Sequence, residues 1–475
     1  LYTIRRRKNK MKRAYEYNHE IITQAIPKIL TEEEQTWEDA FDVEETNWGA
    51  VKLLWGSHVP GSYAPERVLL GGILSMYNMG YDVTEAEKLI PEAIRMREEE
   101  DRIGLSRLTA KVFHILNNAE KIDDHPYHSY TCYDTFEKYR NAVEFEKYTL
   151  PDTKAKEFYD RTYAGWTAQI VGAAVGTALE GYNTEKLLEF FGEINDYVRK
   201  PSTYNDDITY ELAFLDAFFE KGYQVSSEDI AAEWVARIPS GWSAEDIALK
   251  NVMLGIFPPE SGCRSNPFRE WIGAQMRGAV CGMAAPGNPE MAASLAFRDG
   301  VVSHHNNGVI GEIFNAMMVS MAYAEKEMQT IVKKAIRMIP TDSEYYTVVK
   351  FALDQCEQFD HYLEAWKVCE KKFWQYNWIH AYPNAAIEVI ALYYCENSLD
   401  RCINMMSMMG QDVDCNAAQV ATMFGAAYGI EAISEKWLKP LPEELLTYVR
   451  GHEKTSIADI TSFTVECVNR ALENR

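Results

Sequence analysis

The sequence predicts an all-α protein, a compact multi-helix bundle with an N-terminal helical extension. Apolar residues recur at three- and four-residue steps, as on the buried stripe of a helix. Long stretches rich in Ala, Met, Glu and Lys end at proline, and alternating strand patterns are scarce. From about residue 11 to 160 the chain is rich in charge and aromatics, with the run from Arg95 to Arg102 as an example. Its His125-Pro126-Tyr127-His128 segment has a His pair. Pro126 and the lack of a Cys partner favour a loop that hydrogen-bonds or stacks over a metal site. From Thr162 onward Gly, Ala and other small residues permit close helix packing. A soft boundary near residue 160 therefore separates an extension, 1–160, from a main helical domain, 161–475, with the two packed together. Within the latter, Ile208, Leu212, Leu215 and Phe219 share one helix face. Met317 to Met338 reads as a helix stopped by Pro340, and Ala385 to Tyr394 as one entered through Pro383-Asn384.

The 475 residues suffice for one large domain with an extension, since single cores stop growing near about 250–300 residues. A formal charge of −23 argues against nucleic acid and anionic membrane surfaces as partners, while leaving room for a local phosphate site. Nine cysteines without CxxC pairs, several of them (Cys281, Cys395, Cys402) in apolar surroundings, point to a reducing cytoplasm. There is no membrane-length apolar run and no signal-peptide core. The basic opening, Leu1 to Lys10, precedes Met11 and reads as a disordered tail or an added segment.

Two acidic clusters carry the chemistry. Asn205-Asp206-Asp207 and Asp412-Val413-Asp414-Cys415-Asn416 each stand at the start of an apolar helical segment. Asp and Asn are preferred helix caps, and capping is the plain reading of either cluster alone. Four carboxylates brought together would instead make a site for a hard cation, Mg²⁺ or alternatively Mn²⁺.

Four segments in collinear order resemble one family. VGAAVGTALEG at 171–181 looks like a Gly-rich helix ending in a Glu, and YNDDITY at 204–210 like a Thr/Ser-Asp-Asp-Thr metal motif. Residues 273–312 are similar to a central segment with a His-bearing loop, and 409–440 to a closing Asp-x-Asp motif. Together they resemble the ADP-ribosylglycohydrolase family over roughly residues 162–440. The resemblance implies an all-α bundle with one or two magnesium ions, acting on an ADP-ribosyl group or a related small-molecule glycoside. It places Asp206, Asp207, Asp412 and Asp414, with Asn205, as metal ligands. Glu180 matches the glutamate that serves catalysis, and Asp207 joins it there. Four departures stand out: Asn205 replaces Thr, Ile208 cannot ligate as the usual Thr does, Cys415 is a soft, poor Mg²⁺ ligand, and Ala173 stands where an Asp is common in the Gly-rich helix.

Cleaving a glycosidic bond develops positive charge at C1, which a nearby carboxylate stabilises while an acid or metal assists the leaving group. His304 and Asn307 in a polar loop, Arg277 on a helix, and His380 before the Ala385 helix are candidate substrate contacts. Each has a structural alternative as a cap, an ion-pair partner or a buried histidine. Trp271, Trp378 and Tyr382 read as core aromatics that could also stack on substrate. Two rivals to a metal-dependent glycohydrolase remain: a non-catalytic ligand-binding protein, and a helical scaffold whose acids only cap.

Overall fold

The structure is a computed structural model that describes residues 22–27, 29, 31, 38–203 and 206–473. The expected disordered start, residues 1–10, and Asn205 lie outside the described residues. The chain divides into two units, Leu1–Ala50 and Val51–Arg475. The helix Glu38–Trp55 begins in the first. Everything below concerns the second.

Helices dominate it, as the apolar periodicity predicts, and the described strands are two-residue pieces. At its centre lie two helices that the sequence makes unusually small-sided, α1 (Lys156–Gly176) and α5 (Val413–Tyr428). From Ala164 to Gly176 every side of α1 is buried, and so is α5 from Val413 to Ala427. A helix without a polar face belongs inside a core. Their backbones touch: a Cβ on Gly172 would collide with the Ala417 carbonyl, and one on Gly425 with the Ala164 carbonyl. Around this pair stand α2 (Thr209–Lys221), α3 (Asn307–Ala322), α4 (Ala381–Tyr394) and α6 (Ile457–Glu473). Trp166 on α1 donates its indole N–H to Thr464 of α6 at 3.0 Å, which ties the two helices together.

The expected single helix from Met317 to Met338 is two. Helix α3 stops at Ala322 and a second runs over Met328–Arg337. Buried Met328 follows a turn in which Glu325 accepts the Lys326 N–H at 3.0 Å, so local side-chain bonding interrupts a stretch of good helix formers. Helix α4 starts at Ala381, four residues earlier than expected, because Pro383 is tolerated in a first turn.

Residues 51–153 pack on this bundle through directed contacts. Trp271 donates to Ser75 Oγ at 2.7 Å, and the Tyr139 hydroxyl to the Met338 carbonyl at 2.7 Å. A short hairpin, β1 (Ser57–His58) with β2 (Pro65–Glu66), and a bridge between β3 (Tyr182–Asn183) and β4 (Gly410–Gln411) matter for the site below. No described helix is long and apolar enough to cross a membrane.

Candidate active site and metal centre

Three chain segments deliver the acids. Helix α1 ends at Gly176 and closes in a tight turn, with the Glu180 N–H donating to the Gly176 carbonyl at 3.0 Å. Gly181, at φ +80°, then donates to the Gln411 carbonyl at 2.9 Å, and Tyr182 pairs with Gln411 in the β3–β4 bridge. Glycine is favoured at that φ, and a Cβ there would also crowd the Ala64 Cβ at 2.6 Å. The bridge pins Glu180 beside the Gly410–Asp412 corner, where Gln411 itself holds φ +65°. Gly176 abuts the backbone of Asp414, so any larger residue would force α1 and α5 apart at the acids.

Asp412 is the N-cap residue of α5, yet its carboxylate makes no capping bond. Ile208 occupies the same position before α2, again with no side-chain cap. Neither N-cap position uses a carboxylate to cap its helix. The Asp412 N–H donates to Asn384 Oδ1 at 3.1 Å, and Asn416 donates to the same oxygen at 2.7 Å. Asn384 in turn donates to the Trp378 and His380 carbonyls, tying α4 to the acidic corner. Nothing in the sequence singled Asn384 out for this; its only signal is a polar residue after Pro383 in an apolar helix.

The five acids feel one another. Burial pushes the Glu180 carboxyl well up, and Asp414, Asp412, Asp206 and Asp207 push it further. Asp207 is raised by burial and then by Asp414, Asp206 and Asp412. Burial raises Asp412, with Asp414 adding to it, and takes Asp414 up to about 7, with Asp206 adding to it. Asp206 is raised by burial alone. Oδ1 of Asp412 and Oδ1 of Asp414 are buried without a hydrogen-bond donor. Buried carboxylate oxygens without donors are costly unless a cation reaches them. Asp412, Asp414 and Cys415 bring their donor atoms within 4.8 Å of one another. The Cys415 thiol is pushed well up by burial and the surrounding acids, so it stays protonated and its sulfur lies 3.7 Å from Met276 Sδ. The remaining donors are hard oxygens, a set that fits Mg²⁺ or Mn²⁺.

The sequence model of the ADP-ribosylglycohydrolase family matches residues 154–469. The chain belongs to this family. A solved structure described as an ADP-ribosylglycohydrolase-related protein complex is similar to it at 18% identity and a TM-score of 0.48, over 67% of this chain and 100% of that one. No curated protein matches. The architecture is thus the all-α fold of the ADP-ribosylglycohydrolases, and membership suggests a hydrolase of that type. All five acids fall inside the matched segment, whereas residues 51–153 lie before it.

The other sequence candidates occupy the interior of this family fold. Arg277 is 1% exposed, ion-paired to Asp299 and with Glu245 at 3.3 Å and Glu312 at 3.8 Å. Its guanidinium also donates to Ser303 Oγ at 3.0 Å and lies 4.8 Å from the Trp234 ring. Burial works against its charge, but Asp299, Glu312 and Glu245 outweigh burial and hold it protonated. His304 is buried against Ser303 Oγ at 2.7 Å, and burial with the Arg277 charge keeps its imidazole neutral. Asn307 donates to Glu270 at 3.0 Å and accepts from the Tyr345 N–H at 3.2 Å. His380 accepts from the Tyr382 N–H at 3.2 Å and caps α4, with burial lowering its pKa to about 3. Each of the four has an internal partner.

One contributor had no sequence signal. The hairpin loop places Gly61 against Thr177 and the Glu180 carboxylate, and the Tyr182 hydroxyl donates to the Ser62 carbonyl at 3.2 Å. A segment outside the family match thus rims the acids.

Proposed function

We propose that this chain is a metal-dependent glycohydrolase that cleaves the N- or O-glycosidic bond of an ADP-ribosyl group or a related glycoside. The observation that carries the reading is the gathering of buried Asp207, Asp412 and Asp414 with part-exposed Asp206 and Glu180, where the charged groups that shift one another are acids. Asp206, Asp207, Asp412 and Asp414 would hold Mg²⁺, with Asn205 as a further oxygen donor. When bound, the ion would polarise and orient the sugar hydroxyls and activate water. Glu180 keeps part of its surface open, and burial, before the neighbouring acids, holds its carboxyl well above the usual carboxylate range, which favours the protonated form a general acid needs. It can deliver that proton to the departing atom as positive charge builds at C1. Asp207, fully buried beside it, stabilises that charge through space. Asn384 and the Gly181–Gln411 contact keep Asp412 and Glu180 in register. The loop at Gly61 narrows the entrance above Glu180 and so bears on which aglycone enters. We place the protein in the cytoplasm, where its nine unpaired cysteines suit a reducing medium.

The test is Mg²⁺-dependent release of free ADP-ribose, or of free sugar from simple glycosides, by the full chain. Asp206→Ala and Asp412→Ala should each abolish it. Substrate binding with no turnover under Mg²⁺ or Mn²⁺ would instead mark a non-catalytic binding member.

A further inference from the structure

A cavity of about 530 Å³ opens between residues 76–132, which precede the family match, and residues 263–306 within it. None of the five acids lines it. Its volume is in the range of small-molecule sites. What sets it apart is charge: the chain has 71 acidic against 48 basic residues, yet the cavity is lined by Arg269 and Lys121 and by no Asp or Glu.

Neither cation has an ion-pair partner among the described residues. The Arg269 guanidinium uses Nη1 on the Asn266 carbonyl at 3.0 Å and Met76 Sδ at 3.6 Å, which holds the group in place and leaves Nε and Nη2 for a ligand. Its face lies 5.9 Å from the Tyr81 ring centre. Glu270, its sequence neighbour, turns its carboxylate to the Tyr127 hydroxyl at 2.7 Å and to Asn307 at 3.0 Å. Asp134 lies 3.6 Å from Lys138. Glu270 is thus engaged by hydrogen bonds and Asp134 by a lysine, and neither lines the cavity.

The walls are preorganised. His128 is held to the Gly80 carbonyl at 2.9 Å, and its ring meets those of Tyr81 and Tyr127 edge to face. Asn306 keeps φ +48°, a backbone position unusual for a side-chain-bearing residue, while its amide donates to Glu270 at 3.3 Å. A forked guanidinium edge with an ammonium matches a phosphate in geometry and in charge, and fixed tyrosine rings match a planar group.

We propose that this cavity is a second ligand site, apart from the acidic centre, for a small aromatic phosphate, with Arg269 and Lys121 on the phosphate and Tyr81 and Tyr127 against the ring. The site belongs to this chain rather than to the family segment alone, because residues 76–132 supply Lys121 and the tyrosine wall.

Calorimetric titration of the full chain with phenyl phosphate, inorganic phosphate, phenol and benzoate tests it, with chelator present to silence the acidic centre. Phenyl phosphate should bind at least roughly tenfold tighter than each of the other three. Lys121→Gln, at an exposed side chain, and Arg269→Gln should each weaken it by roughly tenfold. Asp412→Asn should leave it unchanged, which separates this site from the glycohydrolase reading. No binding of phenyl phosphate, equal binding in Lys121→Gln, or tighter binding of benzoate would overturn the proposal.

Discussion

Two groups of buried acids lie in one fold and are solved differently. Around Arg277, the carboxyls of Asp299, Glu245 and Glu312 surround a guanidinium that the protein itself provides. At Asp206, Asp207, Asp412, Asp414 and Glu180, the groups that shift one another are acids, and two carboxylate oxygens have no donor. Burying like charges without a counter-charge raises their pKa values and costs stability, whereas a buried cation offsets that cost when its geometry is good. The first group is closed and rigidifies the helices around it. In the second, the proposed Mg²⁺ would supply the charge that Arg277 supplies in the first.

The comparison can be broken most directly at Asp412. Asp412→Ala should lower Mg²⁺-dependent turnover by at least about 100-fold and remove Mg²⁺-induced thermal stabilisation, read by scanning calorimetry. Arg277→Met should do the opposite. It strands buried acids and should lower stability by about 3–5 kcal/mol in urea unfolding, with no rescue by Mg²⁺. A smaller effect sharpens the contrast from the other side. In chelator, Asp414→Asn removes one like charge and should raise unfolding stability by about 1–2 kcal/mol, while forfeiting the gain from Mg²⁺.

The smallest expected effect concerns an acid in neither group. Glu388 accepts from Asn315 at 3.1 Å, has no donor on its other oxygen, and is raised by burial to about 8. A carboxyl raised on folding contributes stability that is fully present below about pH 4.5 and is lost as pH rises through about 8. Glu388→Gln should therefore flatten the fall in melting temperature between those pH values. An unchanged slope would remove Glu388 as its source.

Much of the fold was legible because helices announce themselves locally. The Ile208, Leu212, Leu215, Phe219 stripe lies almost wholly on α2, and the Gly- and Ala-rich stretches lie where α1 and α5 touch. The acids were legible as residue types in paired motifs, but what their carboxylates do was not. Capping looked sufficient for Asp412 until its carboxylate was found to make no capping bond. Arg277, His304, Asn307 and His380 carried polar, functional-looking signals, and each is bonded inside the protein. A one-dimensional pattern records chemical type and period; it does not record which distant group satisfies a donor.

The sequence by itself determined the helical class, the family and the supply of carboxylates, since periodicity and motif order are properties of neighbouring residues. Tertiary structure alone decided the rest. It joined Glu180 to Asp412 through a two-residue bridge across more than two hundred positions, and among the described residues gave one acidic group an arginine and the other none. It also set Lys121 and Arg269 in the lining of one cavity. Those outcomes depend on through-space distance between segments far apart in the chain, where desolvation and Coulomb energy, rather than local propensity, set the balance.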